Sequence, residues 1–429
     1  MEKHPRVAIV RGLRTPFAKA GTVYKDLDAL ALGKIVVAEL IKRSGIDAST
    51  IDEVIYGNVI PSVKAANVAR EIVLGTGIPA HVSSHTVTRA CASSNQAMTN
   101  AADLIFRGYA HTVIAGGTES LSNVPILLSK RFSDVLVTAS KQKSVGGKLG
   151  AFTKLRPRDL APDYPAIAEP TTGLTMGESA EKMAKENGIS REDQDEFALQ
   201  SHRRAAEAHA SGRFADEVMT VLVPPRYETV VETDNVIRAD TTLEALGSLR
   251  PVFDRKYGTI TAGNSSPLTD GASAVLMMSE ERAKALGMKP IGYLRSYAYA
   301  ALDPFDQLLQ GPVYATPVAL DRAGITLRDV GVIEMHEAFA AQVLSNIQWM
   351  GSKRIAQERL HRSEPVGEID PEKINRTGGS IAIGHPFGAT GARIVTTVCN
   401  ELQRTGEQYG LVTVCAAGAQ GSAIVLERE

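Results

Sequence analysis

Apolar residues along this chain come in two rhythms. Short, nearly unbroken apolar runs read as strands buried on both faces: VAIVRG at 7–12, IDEVIYGNV at 51–59, HTVIAGG at 111–117, VGVIEMH at 330–336, LVTVCAAG at 411–418 and SAIVLE at 422–427. Elsewhere the apolar positions fall at helical spacing. In residues 28–44, Leu30, Leu32, Ile35, Val36, Leu40 and Ile41 share one face. The alternation predicts α/β architecture. Two segments, RSGIDASTIDEVIY (43–56) and RAGITLRDVGVIEM (322–335), align without gaps at an offset of 279 positions. Each reads as a helix end, a glycine, a short loop and a strand. Two related halves would leave such a trace, and so would chance, because glycine commonly follows a helix.

Residues 121–250 break the pattern. Lys130, Arg131, Lys141, Lys143, Lys148, Lys154, Arg156 and Arg158 stand against Asp134 alone between 130 and 158. Pro157, Pro162, Pro165 and Pro170 punctuate the chain there, and an acidic, helix-forming run follows around 178–210. This predicts an inserted, loop-rich module. The basic cluster reads either as a solvated face or as an anion site, for the phosphates of a nucleotide-containing substrate or for an acidic membrane surface.

Bulk composition narrows the field. At 429 residues, 44% of them hydrophobic, the chain can build two or three domains with ample core. A net charge of -1 argues against a general nucleic-acid binder. Three cysteines are no disulfide framework, so a reducing compartment is expected. MEKHPRVAIVRG has no apolar run of signal-peptide length, and no stretch approaches the roughly 20 apolar residues that span a bilayer. The expectation is a cytoplasmic protein, with peripheral membrane contact left open.

The candidate chemistry lies in glycine-rich and small-residue contexts. Cys399 shares a helical face with Ile394, Val395, Val398 and Leu402 and reads as a core residue. Cys91, in TVTRACASSNQAMTNAADLI, is placed between a strand-like lead-in and a helix from Ser93 to about Arg107. A thiol at a helix N-terminus can have its pKa lowered to roughly 3.5–7.5, although from position alone a structural cysteine is favoured over a nucleophile. Cys415 ends a strand and enters CAAGAQG, where glycines let backbone N–H groups approach a ligand. His385 sits in GGSIAIGHPFGATGARIV; packing does not account for it, and the glycine spacing does not match a dinucleotide loop, so a chemical role is favoured. His336, in MHEAFA, reads as a capping or a chemical histidine. Ala340 breaks the zinc-hydrolase pattern H-E-x-x-H, so no metal is expected.

TRACASSNQA, GGTESLSNVP, TAGNSSPLTDGAS, HEAFA, GGSIAIGHPFGATG and CAAGAQG, in that order, resemble the thiolase family, from about Val7 to Glu427. HEAFA and the basic insertion most resemble the thiolase subunit of fatty-acid β-oxidation multienzyme complexes. The resemblance implies a thiolase fold: two similar βαβαβαββ halves with five-stranded mixed sheets in a layered α/β/α/β/α core. Residues 1–120 and 251–279 would form the N-terminal half, 121–250 the inserted loop domain and 280–429 the C-terminal half.

The implied activity is thiolytic cleavage of 3-ketoacyl-CoA by CoA, with acetoacetyl-CoA synthesis as the alternative. Cys91 would carry the acyl group, His385 would activate it, and Cys415 would exchange protons with substrate. His336 would join His385 in one oxyanion site, and the N–H groups of Cys91 and Ala417 would form another. Ser266 would lie near the pantetheine of CoA. Many family members have Asn at His336 and Gly at Ala417; the Ala serves only if its backbone angles suit a residue with Cβ. The resemblance implies no permanently bound cofactor, coenzyme A as substrate, a homodimer, and a hetero-oligomer with a hydratase/dehydrogenase α subunit as a further option. Peripheral membrane contact would run through 121–165.

Two rivals are weaker. A β-ketoacyl synthase lacks a second catalytic cysteine, so Cys415 argues against it. A non-catalytic acyl-CoA-binding relative would have lost Cys91, His385 or Cys415.

Overall fold

The computed structural model describes residues 5–153, 155–162 and 168–429; Lys154 and Pro165 of the basic, proline-rich stretch lie outside them. The apolar runs become strands β1 (Val7–Arg14), β2 (Glu53–Gly57), β3 (Ser83–Val87), β4 (Thr112–Glu119) and β5 (Thr269–Ser279), followed by β6 (Gly292–Ala301), β7 (Val330–Met335), β8 (Tyr409–Ala416) and β9 (Gln420–Glu427). In the first array β2 runs parallel to β3 and β4, while β5 is antiparallel to β4 and β1. The second repeats this order. Ile374 bridges β7 in parallel, β7 is parallel to β8, and β9 is antiparallel to β8 and β6. Its fifth member is thus a single bridge. The two arrays join edge to edge where Val7–Ile9 pairs with Gly292–Leu294.

The helices that matter for the site are α1 (Ala29–Ser44), α2 (Val68–Gly75), α3 (Ser93–Phe106), α4 (Gly311–Ala323), α5 (Ala340–Met350) and α6 (Thr390–Thr405). Strand alternation sorts them into layers. Ala274, Leu276 and Met278 of β5 face α1 and α2, while Val275 and Met277 face α3 and α6. Ile424 and Leu426 of β9 join that same central cluster, and Ala423 and Val425 turn outward to α4 and α5. Five layers result, with α3 and α6 packed between the sheets. Cys399 is buried among them, as its pattern predicts.

The two aligned segments adopt the same unit. α1 ends at Gly45 (φ 67°), a 3₁₀ turn spans Ala48–Thr50, and β2 follows. α4 ends at Gly324 (φ 71°), a 3₁₀ turn spans Leu327–Asp329, and β7 follows. Left-handed glycine at the helix end is what lets the chain turn toward the sheet.

Val124–Ala168 forms a compact unit of its own, and the remainder forms a second. The small unit holds helices Lys130–Lys141 and Val145–Phe152. The acidic run that follows becomes helices Met176–Asn187 and Arg191–Ala210 within the larger unit, packed against α5. No helix among the described residues is long and apolar enough to cross a membrane.

Candidate active site

Cys91 precedes the first turn of α3, after Ala90 in a left-handed conformation (φ 43°). It is partly exposed, whereas Cys415, His336 and His385 are buried. Cys91 Sγ and a ring nitrogen of each histidine lie within 4.8 Å of one another. The two imidazoles are stacked at a tilt, with centroids 4.0 Å apart. Cys415, at the end of β8, lies close enough to Cys91 for their charges to interact.

Each histidine is held from behind. His336 follows β7, and its Nδ1 lies 2.8 Å from Ser380 Oγ rather than capping a helix. His385 Nδ1 lies 2.6 Å from Thr390 Oγ1. Both Nε2 atoms are buried with no hydrogen-bond partner in the protein. Unpaired buried polar atoms are costly, so two of them aimed into one space mark a place built for a guest.

The loop carrying His385 is drawn onto the first sheet. A Cβ on Gly117 would meet Gly388 O at 1.8 Å, so only glycine at the end of β4 admits the loop. Glu119 then ties it down, accepting the N–H of Gly388 (3.0 Å), Val59 (3.0 Å) and Ile60 (3.0 Å) and the amide of Asn58 (2.9 Å). Glu337 of HEAFA does the same for the loop before Ser380. It accepts from Ser201 (2.7 Å), Asn375 (2.7 Å) and the N–H of Ile381 (3.1 Å).

The thiol is not pre-ionised. Cys91 keeps some exposure as a residue, but the packing around it desolvates the thiol and pushes it up to about 12; Glu119 adds to the rise, and the N–H groups of Ala417 and of Cys91 itself pull it back. This reverses the lowered pKa expected at a helix N-terminus. The N–H groups of Ala92 and Ser93 are already taken by the carbonyls of Arg89 (3.0 Å) and Ala90 (3.0 Å), which leaves fewer donors for a thiolate. Burial also raises Cys415 well above the ordinary thiol value. Burial, with Arg393 nearby, holds His385 down to about 3, and His336 also lies well below its ordinary value, so both rings are neutral at pH 7.

Ala417 brings its N–H to Cys91 Sγ without strain of its own: the left-handed positions beside it are Gly418 (φ 79°) and Ala419 (φ 52°). Glu169 steadies this turn by accepting the Gly418 N–H at 2.8 Å. Ser266 lines a cleft of about 850 Å³ together with Lys19, His202, Arg238, Leu249 and Leu268. Its N–H bonds Ala338 O at 3.0 Å, and Leu268 bridges His385, so the cleft wall is strung between the two histidine segments.

Sequence reading missed Ser380, Thr390, Glu119, Glu169 and Arg238. Ser380 and Thr390 sat inside the GGSIAIGHPFGATG motif already quoted, and a polar residue close to a candidate base was the signal available.

The family models for the thiolase N-terminal and C-terminal domains match residues 7–281 and 288–428. The chain is 55% identical over 424 residues to the 3-ketoacyl-CoA thiolase of Yersinia pestis (strain Pestoides F), covering 99% of this chain and 97% of that one. Among solved structures, it resembles the acetyl-CoA acetyltransferase of Bacillus anthracis with TM-score 0.85 and 33% identity over 100% of both chains. It also resembles human mitochondrial 3-ketoacyl-CoA thiolase in complex with CoA, with TM-score 0.83 and 31% identity over 99% of this chain and 98% of that one.

Proposed function

The chain belongs to the thiolase family, and from that premise we propose how its residues carry out the thiolytic cleavage of 3-ketoacyl-CoA, the reaction of a 3-ketoacyl-CoA thiolase. The observation that carries the proposal is the pair of unpartnered histidine Nε2 atoms beside Cys91, with Cys415 close by.

Cys91 Sγ attacks the C3 carbonyl carbon while His385 Nε2 takes the thiol proton. With the thiol near 12 and the imidazole near 3, transfer happens during attack and not before it. Collapse of the C3 alkoxide breaks the C2–C3 bond, leaves the acyl group on Sγ and sends the electron pair into the enolate of acetyl-CoA. His336 and the now protonated His385 donate to the enolate oxygen, and Cys415 delivers a proton to C2. Cys415 then takes the thiol proton of incoming CoA, whose sulfur attacks the thioester. The N–H groups of Cys91 and Ala417 hold that tetrahedral oxyanion until it collapses to acyl-CoA and expels Cys91 Sγ, which takes its proton back from His385. A thioester suits the intermediate because it stays reactive enough for the second transfer.

CoA lies in the cleft beside Ser266, where Lys19 and Arg238 offer charge to its phosphates. The identity of 55% over 99% of the chain to a 3-ketoacyl-CoA thiolase favours degradation, in fatty-acid β-oxidation, over the biosynthetic alternative. A cytoplasmic homodimer, pairing with a hydratase/dehydrogenase subunit, and peripheral membrane contact through 121–165 complete the reading.

Two variants test the roles. Cys91→Ser should lower thiolysis by on the order of 10⁴-fold or more, as loss of a covalent nucleophile does. Cys415→Ala should still accept an acetyl group from acetyl-CoA yet fail at carbon–carbon cleavage. Near-wild-type thiolysis by Cys91→Ser removes the assignment.

A further inference from the structure

We infer that Ser380, held by the buried guanidinium of Arg393, fixes the tautomer of His336 so that its Nε2 carries the hydrogen given to the enolate oxygen. The inference rests on the reading of the site above and deepens it. A histidine in an oxyanion site is useful only if the nitrogen facing the oxygen bears a proton. A neutral imidazole bears one proton, on either nitrogen, so something must choose.

The donor–acceptor pattern makes the choice. Arginine has no acceptor, so the contact of Arg393 Nη2 with Ser380 Oγ at 3.3 Å obliges Ser380 to accept. Its second lone pair could accept from a protonated Nδ1, but the hydroxyl's own hydrogen would then have no acceptor among the described residues, so that hydrogen goes to His336 Nδ1, at 2.8 Å. Nδ1 is the acceptor, and Nε2 is left as N–H. His385 is set the other way. Thr390 Oγ1 donates to Pro386 O at 3.2 Å, so it accepts from His385 Nδ1–H at 2.6 Å, and Nε2 keeps its lone pair for the Cys91 proton. Two stacked rings therefore present one hydrogen and one lone pair to the same space. Identical tautomers would offer either two hydrogens and no base, or two lone pairs that leave protonated His385 as the one ring donor to the enolate.

Arg393 explains its own burial this way. Its side chain, on α6, reaches Glu334 of β7 at 3.4 Å, and both are buried. A buried ion pair is weak evidence of stability, because desolvation offsets the attraction. Here it supplies a fixed donor that cannot reverse its hydrogen bond, which a neutral side chain at the same place could do. Ser380 and Arg393 are positioning residues; neither touches Cys91.

The two half-reactions separate this role from a structural one. The enolate forms only when the C2–C3 bond is cleaved. Transfer of an acetyl group from acetyl-CoA to Cys91 passes through the other oxyanion site. Ser380→Ala should therefore lower kcat for thiolysis by on the order of 10²-fold, with KM little changed. Acetyl transfer to Cys91 should fall by less than about threefold. Nitrogen-15 NMR of histidine-labelled wild-type protein reads the tautomer directly, with His336 assigned by comparison with His336→Asn. The expected pattern is a bare Nδ1 and a protonated Nε2. A protonated Nδ1 on His336, an equal loss in both half-reactions, or no loss of thiolysis would each overturn the inference. Failure of the underlying reading looks different: wild-type protein would then transfer no acetyl group to Cys91.

Discussion

Cys91 shows how far a single residue's position can mislead about its state. Its place before α3 was legible from the switch between TVT and a small-residue helix. Its protonation was not. The turn at Arg89 and Ala90 has already used N–H donors that a helix terminus would otherwise offer, and burial then dominates. The sign of the shift gives a test. With its pKa raised to about 12, the thiolate fraction in the free protein grows by about tenfold per pH unit through the range below that value. Alkylation of Cys91 by iodoacetamide should climb from pH 7 to 10 without a plateau, measured on the Cys91 peptide. A plateau between about pH 7 and 8 would mean a pre-formed thiolate. Ser380 and Thr390 were illegible for another reason: a hydroxyl's direction depends on which donors and acceptors surround it. Arg393 comes to Ser380 from α6 across the loop that carries His385.

At the scale of elements, hydrophobic rhythm located most strands to within a few residues. The expected strand at 7–12 became Val7–Arg14, and that at 330–336 became Val330–Met335. The short match at an offset of 279 became two units with the same order of helix, left-handed glycine, 3₁₀ turn and strand. The fifth member of the second sheet left no trace in sequence, because one bridge at Ile374 needs no alternating pattern. In the Val124–Ala168 unit, Lys130, Arg131 and Arg158 meet acidic partners, whereas Lys141, Lys143 and Lys148 have none among the described residues. Val145 and Leu149 are exposed on the helix beside them. Basic and apolar side chains together suit an acidic membrane surface, at about 1 kcal/mol per lysine. Replacing Lys141, Lys143 and Lys148 with Gln should weaken partition onto phosphatidylglycerol-containing vesicles by on the order of 10²-fold, read by co-sedimentation. Unchanged partition would leave these lysines as a solvated face.

The whole molecule places its chemistry where the layers meet. α3 and α6 are the two helices packed between the sheets, and their N-terminal ends touch, with Ala392 N–H donating to Ser94 Oγ at 2.9 Å. Cys91 enters one of these helices and the loop of His385 enters the other. Thus residues nearly 300 positions apart in sequence share one small space, with Cys415 supplied from the end of β8. Motif order made the participants legible. Their convergence was not, because it depends on glycines such as Gly117 admitting a loop from the other half. The central claim is that this convergence makes Cys91 an acyl carrier. Brief incubation of the whole protein with acetyl-CoA, followed by mass spectrometry of its cysteine peptides, tests it most directly. The account predicts one acetyl group, on Cys91, discharged when free CoA is added. No adduct, or an adduct on Cys415 or Cys399 instead, would contradict it.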